Sequence, residues 1–340
     1  MSAPDGRRTA HDTSEAPPAL SGPAASATAP DGRRIGHDTS GAPPARSGPM
    51  PGATAAPPRL LARAWRDRRA RAGTAIVALF VVGAIAGPLV LGRPPLELAD
   101  VVARRFTAPL AHTPDGTLHL LGTDRFGRDV LARLLLGARI SLAVGGLAAL
   151  VSTLAGIAVG ALAGWAGGAV DRAVVAVTDA ALAIPRVPFL LLLVALVEPG
   201  ALMTVVALGV TGWMTVARLV RAEVRAARAR PFVEASRALG LRPRRVLVRH
   251  VLPNALTSAL VAAALGVGSA IMLEAGLSFL GLGVQPPTPS WGNMIAAGRD
   301  ALVIAPWVAL APSLAVALVV LGCSLLADAL ESAIAAETRA

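Results

Sequence analysis

The chain contains no lysine, so all 32 of its basic residues are arginine. A P-loop needs a lysine to reach the nucleotide phosphates, and that site is therefore excluded. Any ATP used with this chain must be hydrolysed on another polypeptide, unless an unfamiliar nucleotide site is present. Cysteine occurs once, as Cys323 inside an apolar run, which excludes an internal disulfide and a multi-cysteine metal site. Its reading is a small buried side chain. The five histidines are scattered, and none falls in an H-x-x-x-H or H-E-x-x-H pattern that marks zinc. No catalytic constellation is present, so the chain reads as non-catalytic, with no metal and no cofactor of its own. Charge is scarce too: 16% of residues are charged while 54% are hydrophobic, too apolar a balance for an ordinary soluble domain. The net charge is +11, but the arginines flank long apolar runs and are not interleaved with aromatics. Membrane orientation explains them better than nucleic acid does.

Residues 1–58 are rich in Pro, Ala, Ser, Gly and Asp and lack apolar periodicity, the composition of a disordered tail. Within them APDGRRTAHDTSEAPPALSGP, from Ala3, recurs as APDGRRIGHDTSGAPPARSGP, from Ala29, a local duplication with no core-forming residues. No apolar stretch of signal-peptide length precedes residue 74, so the tail is expected to stay on the side where it is made.

Arg59 to Arg71 carries six Arg against Asp67 and leads into the apolar stretch Thr74 to Leu91. By the positive-inside rule this is a first span with its N-terminus in the cytoplasm. Five more apolar segments approach or exceed the roughly 20 residues needed to cross a bilayer. They are Ile140 to Ala163, Val174 to Val197, Ala201 to Val216, Ala255 to Leu280 and Ala301 to Ala327, the third interrupted by Pro185, Arg186 and Pro188. The expected architecture is an all-α membrane protein with six transmembrane helices. Arg218 to Arg249 holds ten Arg against Glu223 and Glu234, and four spans separate it from the N-terminus, which places that loop and both termini in the cytoplasm. The organisation is then a tail (1–58), a first helix with basic flank and external loop (59–138), a membrane-spanning core (139–328) and a short cytoplasmic tail (329–340). The cytoplasmic loop is the most specific local signal. In EASRALGLRPRRVLVRHVLPN, Glu234 to Asn254, the residues Glu234 to Leu239 continue a helix from the preceding Arg-rich stretch, Gly240 ends it and Pro243 starts a second.

This segment resembles the EAA loop of bacterial ATP-binding cassette importer permeases, E-A-A-x-x-x-G followed by L-P. Glu234, Ala235, Gly240, Leu252 and Pro253 fall at matching positions, while Ser236 replaces the second Ala and His250 an aliphatic residue. Three other stretches resemble the dipeptide, oligopeptide and nickel branch of these permeases: Leu121 to Leu142 (LGTDRFGRDVLARLLLGARISL), Ala163 to Leu196, and Leu277 to Ile295 (LSFLGLGVQPPTPSWGNMI). The resemblance implies a type I importer permease fold in a bacterial plasma membrane. It also implies partners: a separate cytoplasmic ATPase into which the EAA loop docks, a homologous second permease and an extracytoplasmic substrate-binding protein. ATP would be used by the ATPase subunits. Glu234 would contact that ATPase, Gly240 would permit the turn between helices, and Pro253 would fix the start of the fifth span. The structural alternative for the loop is an Arg-rich segment that binds anionic lipid.

Polar groups inside spans are costly and ordinarily face a cavity or a partner. Glu274 and Arg186 are the candidates for the translocation path, with Asp179 seven residues before Arg186 on roughly the same face. The alternative is that they are structural, paired with each other or with a neighbouring helix. Gly156, Gly160 and Gly164 form overlapping G-x-x-x-G patterns for close helix packing. QPPTPSWG, Gln285 to Gly292, reads as a rigid external loop with Trp291 at the membrane interface, near where a binding protein docks. The function expected is a permease subunit that passes dipeptides, oligopeptides or a related solute. Rivals are nickel as cargo, an ion-coupled secondary transporter, and a membrane receptor or anchor.

Overall fold

A computed structural model describes residues 64–91 and 101–338. The expected tail and its duplication lie outside the described residues. The helices are α1 (Arg68–Leu91), α2 (Val101–Arg104), α3 (Val130–Ala166), α4 (Gly168–Ala183), α5 (Arg186–Ala195), α6 (Ala201–Arg228), α7 (Pro231–Ala238), α8 (Pro243–Val246), α9 (Leu252–Phe279), α10 (Trp291–Arg299) and α11 (Trp307–Thr338). A hairpin of β1 (Ala111–His112) and β2 (Leu118–His119) sits in the loop before α3. Five helical segments among the described residues are long and apolar enough to cross a membrane, and α4 with α5 makes a sixth candidate bent by 86°. Pro185 causes the bend: Ile184 before it is extended, as a residue preceding proline prefers, and α5 restarts at Arg186.

The packing is that of a membrane protein. On α3 the buried positions include Ser141, Ala148, Gly156, Gly160 and Ala163, whereas Leu147, Leu150, Leu154 and Leu162 are exposed. Small residues meet other helices and large aliphatics face outward, where lipid solvates them. A Cβ added at Gly160 would lie 2.4 Å from the Ala217 carbonyl oxygen, and one at Gly164 2.7 Å from that of Arg221. These glycines let α3 and α6 touch backbone to backbone.

Helix directions follow from the contacts. Gly209 packs on Val151, Gly156 on Val216, Gly160 on Val220 and Gly164 on Val224, so α3 and α6 are parallel. Parallel neighbours require the chain between them to return across the whole bundle, and only α4 and α5 are available to do so. The bent pair is therefore one crossing, as the sequence predicts. Helix α9 is antiparallel to α3, with Gly145 against Ile271 and Ala149 against Gly266. Helix α11 is antiparallel to α1, Gly73 meeting Gly322 and Leu326, and to α9, Gly268 meeting Cys323 while Leu260 and Leu330 share a cavity wall nearer the other end. The starts of α1 and α9 and the ends of α3, α6 and α11 thus lie together.

Several boundaries differ from expectation. Helix α3 begins ten residues before Ile140 because Asp129 caps it, its carboxylate accepting the Ala132 N–H at 2.9 Å. Helix α6 runs past Val216 to Arg228, since arginine is a good helix former once the chain has left the apolar layer. The sixth span starts at Trp307 instead of Ala301, because residues 301–304 form turns and Pro306 precedes the helix. Cys323 is buried, as expected.

Candidate functional site

At the shared end of the bundle the helix does not continue from the Arg-rich stretch as expected: α6 closes at Ala229 and Pro231 opens a separate α7, where its missing N–H costs nothing. Glu234 and Ala235 are exposed on α7, and Ser236 turns its hydroxyl back to the Phe232 carbonyl at 2.7 Å. Gly240, at φ +76°, ends the helix: its N–H reaches the Arg237 carbonyl at 2.9 Å and the Leu241 N–H reaches Ser236 at 3.2 Å. That pair of bonds is a Schellman cap, which needs a left-handed residue here and therefore favours glycine. Pro243 then starts α8, so both turn signals in the sequence are used as predicted.

The underside of this elbow is anchored. Val233, Val246 and Val251 have no exposed surface and pack with Val216, Val220 and Val224 of α6 and Ala255 and Ala259 of α9. The Arg228 guanidinium donates to the Trp165 carbonyl at 2.7 Å, and that of Arg237 lies 5.3 Å from the centre of the Trp165 ring. The outer side carries Leu239, 82% exposed, and the exposed arginines 242, 244, 245 and 249 with His250. Pro253 does not begin a separate helix. The chain runs on from α8 through a π-helical turn, Leu247–Val251, into α9, with Leu252 N–H bonded to the Leu247 carbonyl. Proline has no N–H for the usual partner and its ring crowds the preceding turn, so the helix widens just ahead of it. Leu252 is half-buried against the same valine cluster.

Midway along the bundle, α3, α6 and α9 enclose a cavity of about 270 Å³ that Arg186 reaches from the bend before α5. Ser152, Thr153, Thr215 and Ser269 line it. Gly212 leaves the room: a Cβ there would lie 2.4 Å from the Ser152 hydroxyl and 3.3 Å from Arg186 Nη2. Arg186 donates to the Leu208 carbonyl at 3.5 Å, and its Nε is buried without a partner. The structure separates Arg186 from the other path candidates. Asp179 is ion-paired with Arg218, both side chains about half exposed. Glu274 is 0% exposed and does not line the cavity; its two carboxylate oxygens accept hydrogen bonds from Ser141 at 2.8 Å and Ser278 at 2.7 Å. Of the two readings of Glu274, the structural one fits this placement.

Trp291 also corrects an expectation. It is 0% exposed, its indole N–H donating to the Leu134 carbonyl at 3.1 Å, because α10 folds inward against α3 and α9 and brings the ring into the core. Ser290 caps α10 in a capping box with Asn293, a signal legible in the SWGN stretch. At the opposite end from the elbow, the LGTDRFGRD motif builds a turn. Asp124 accepts the N–H groups of Phe126 and Arg128 and pairs with the Arg128 guanidinium at 2.7 Å, and Asp129 pairs with His119 Nδ1 at 2.7 Å. In the hairpin beside it, hydroxyls of Thr113 and Thr117 donate to Asp115 and hold its carboxyl down to about 2.

Residues 156–339 match the family described as binding-protein-dependent transport system inner membrane component. The chain is 35% identical over 269 residues, 79% of its length and 86% of the relative's, to the dipeptide transport system permease protein DppC of Alkalihalophilus pseudofirmus. It is 40% identical over 216 residues to the glutathione transport system permease protein GsiD of Pectobacterium atrosepticum, covering 64% of this chain and 72% of the relative. It is 37% identical over 224 residues to the oligopeptide transport system permease protein OppC of Bacillus subtilis, covering 66% and 73%. The end of α3 that packs on α6, the crossings from α4 to α11 and the elbow after α6 fall within the matched region, while α1 and the start of α3 precede it. The chain belongs to the binding-protein-dependent inner membrane components, the multi-pass, non-catalytic permease subunits of ATP-binding cassette importers.

Proposed function

We propose that this subunit forms part of the path by which peptides enter the cell, and that residues 231–253 couple it to a separate ATPase. The observation that carries the coupling role is the elbow itself: two short helices rigidly capped at Gly240, rooted in the bundle by Val233, Val246 and Val251, with Glu234, Ala235 and four arginines outward. A rigid body with a polar outer side and an apolar root transmits a push to α6 and α9 without bending. Leu252 and Pro253 carry that push into α9. Names of relatives that carry dipeptides, oligopeptides and glutathione support peptide cargo.

Both termini are cytoplasmic in this reading. The starts and ends gathered with the elbow are flanked by the ten arginines of 218–249, the charge bias that cytoplasmic loops carry. The partners are cytoplasmic ATPases that use the ATP, a homologous second permease, an extracytoplasmic binding protein and the surrounding lipid. Arg186 lies on the translocation path, and Glu274 is a structural lock beside it.

Co-purification of the detergent-solubilised chain with its ATPases tests this. Wild type should retain the ATPases, and a Glu234→Arg, Gly240→Pro double variant should insert normally and lose them, since proline cannot adopt φ +76°. Retention by the variant would contradict the coupling role. ATP-dependent peptide uptake by the reconstituted complex tests the cargo.

A further inference from the structure

An arginine within the apolar layer is costly even where it can adjust. Arg186 bears that cost with little compensation from the described residues. Beyond the apolar layer on α6, Arg218 has Asp179 and Arg221 has Asp171, and on α3 Arg139 has the carbonyls of Ala84 and Ile85, whereas no described carboxylate pairs with Arg186. Among the described residues its one acceptor is the Leu208 carbonyl at 3.5 Å, longer than the ordinary 2.7–3.2 Å range. Its Nε is buried and unpartnered.

The surroundings are built to keep the guanidinium where it is. Pro185 makes the bend that puts Arg186 at the head of α5, and Gly212 gives its Nη2 room against α6. Arg186 is the one ionisable residue among the described residues that line the cavity, and the hydroxyls of Ser152, Thr153, Thr215 and Ser269 surround it with groups that both donate and accept. Nε and an η nitrogen together form the planar fork that fits a carboxylate's two oxygens. At about 270 Å³ the cavity falls just below the roughly 300–1,000 Å³ of sites that enclose a small molecule, as one wall of a path shared with a second subunit would.

We propose that Arg186, held at the wall of this cavity, is the contact that recognises a free carboxylate of the transported peptide. The inference rests on the peptide-permease reading and adds to it a charge requirement on the cargo. The contact exists only during passage, so the guanidinium stays available between transport cycles.

The test uses the whole complex, with both permeases, the ATPases and a saturated binding protein, in proteoliposomes. ATP-dependent uptake is measured for alanyl-alanine, its C-terminal amide, and alanyl-glutamate amide, whose only carboxylate is on the side chain. Wild type should carry alanyl-alanine at least about tenfold faster than its amide, the effect of losing one charge-assisted hydrogen bond. Arg186→Gln should slow the acid about tenfold and leave the amide unchanged, and Arg186→Lys, which keeps charge without the fork, should fall between. Rapid uptake of alanyl-glutamate amide means that any carboxylate serves; slow uptake assigns the contact to the C-terminus. Equal wild-type rates for acid and amide would overturn the proposal without any variant. So would an Arg186→Gln loss shared equally by both peptides, the signature of a structural pairing with the second permease. Absence of uptake for every peptide would instead overturn the peptide-permease reading, and this inference with it.

Discussion

Ser141 on α3 donates a 2.8 Å hydrogen bond to Glu274 on α9, and the same hydroxyl oxygen accepts the Trp291 N–H at 3.1 Å. Ser278 does the equivalent on the other carboxylate oxygen, donating at 2.7 Å and accepting the Val284 N–H at 3.0 Å. One buried carboxylate therefore ties α3, α9 and the chain leading into α10. Glu274→Ala strands two hydroxyls and opens a hole, which should cost about 2–5 kcal/mol. Glu274→Gln keeps one oxygen as acceptor and should cost about 1 kcal/mol. Thermal unfolding of the purified subunit, followed by size exclusion, should rank them in that order below wild type. An alanine variant as heat-resistant as wild type would remove the lock.

The α3 and α6 contact predicts opposite signs for two similar substitutions. Gly160→Ala forces a methyl to within 2.4 Å of the Ala217 carbonyl and should destabilise by about 1–3 kcal/mol. Gly146→Ala, on the same helix with nothing within 4 Å, should gain up to about 1 kcal/mol from helix propensity. Melting midpoints that move in the same direction would contradict the packing.

The helix directions predict sidedness. In a Cys323→Ser background, Val303→Cys, at a position 98% exposed, should react with an impermeant maleimide on intact cells. Leu239→Cys should react only after permeabilisation. Labelling of both from one side would contradict the six-crossing topology.

Asp115 predicts an insensitivity. Its carboxyl is lowered from 3.8 to about 2 by hydroxyls of Thr113 and Thr117. A depressed value contributes stability that is fully present above 3.8 and is lost as pH falls through about 2. Amide exchange in the hairpin should therefore show no change due to this carboxyl between pH 8 and 5. Asp115→Asn should raise exchange at Thr113 and Thr117 throughout that range.

Gly240 and Pro243 were legible because their turns are local chemistry, whereas the break at Pro231 between α6 and α7 falls where the helix was expected to continue. The spans were legible as apolar runs, but their ends were not. Arginines that lengthen α6 and the Asp129 cap that starts α3 early lie outside any apolar window, although the cap is a readable signal. The partners of Glu274 and the burial of Trp291 depend on residues up to 157 positions apart, which no local pattern encodes. The hairpin of β1 and β2 escaped for a different reason, since two-residue strands carry no alternation to detect.

The most direct test of the account is a photo-crosslinker attached through Leu239→Cys, in the Cys323→Ser background, on the assembled transporter. The elbow reading predicts adducts with the ATPase from Leu239→Cys and Arg242→Cys and none from Val303→Cys at the other end of the bundle. Adducts with lipid alone from the elbow positions, in a complex that still hydrolyses ATP, would contradict it.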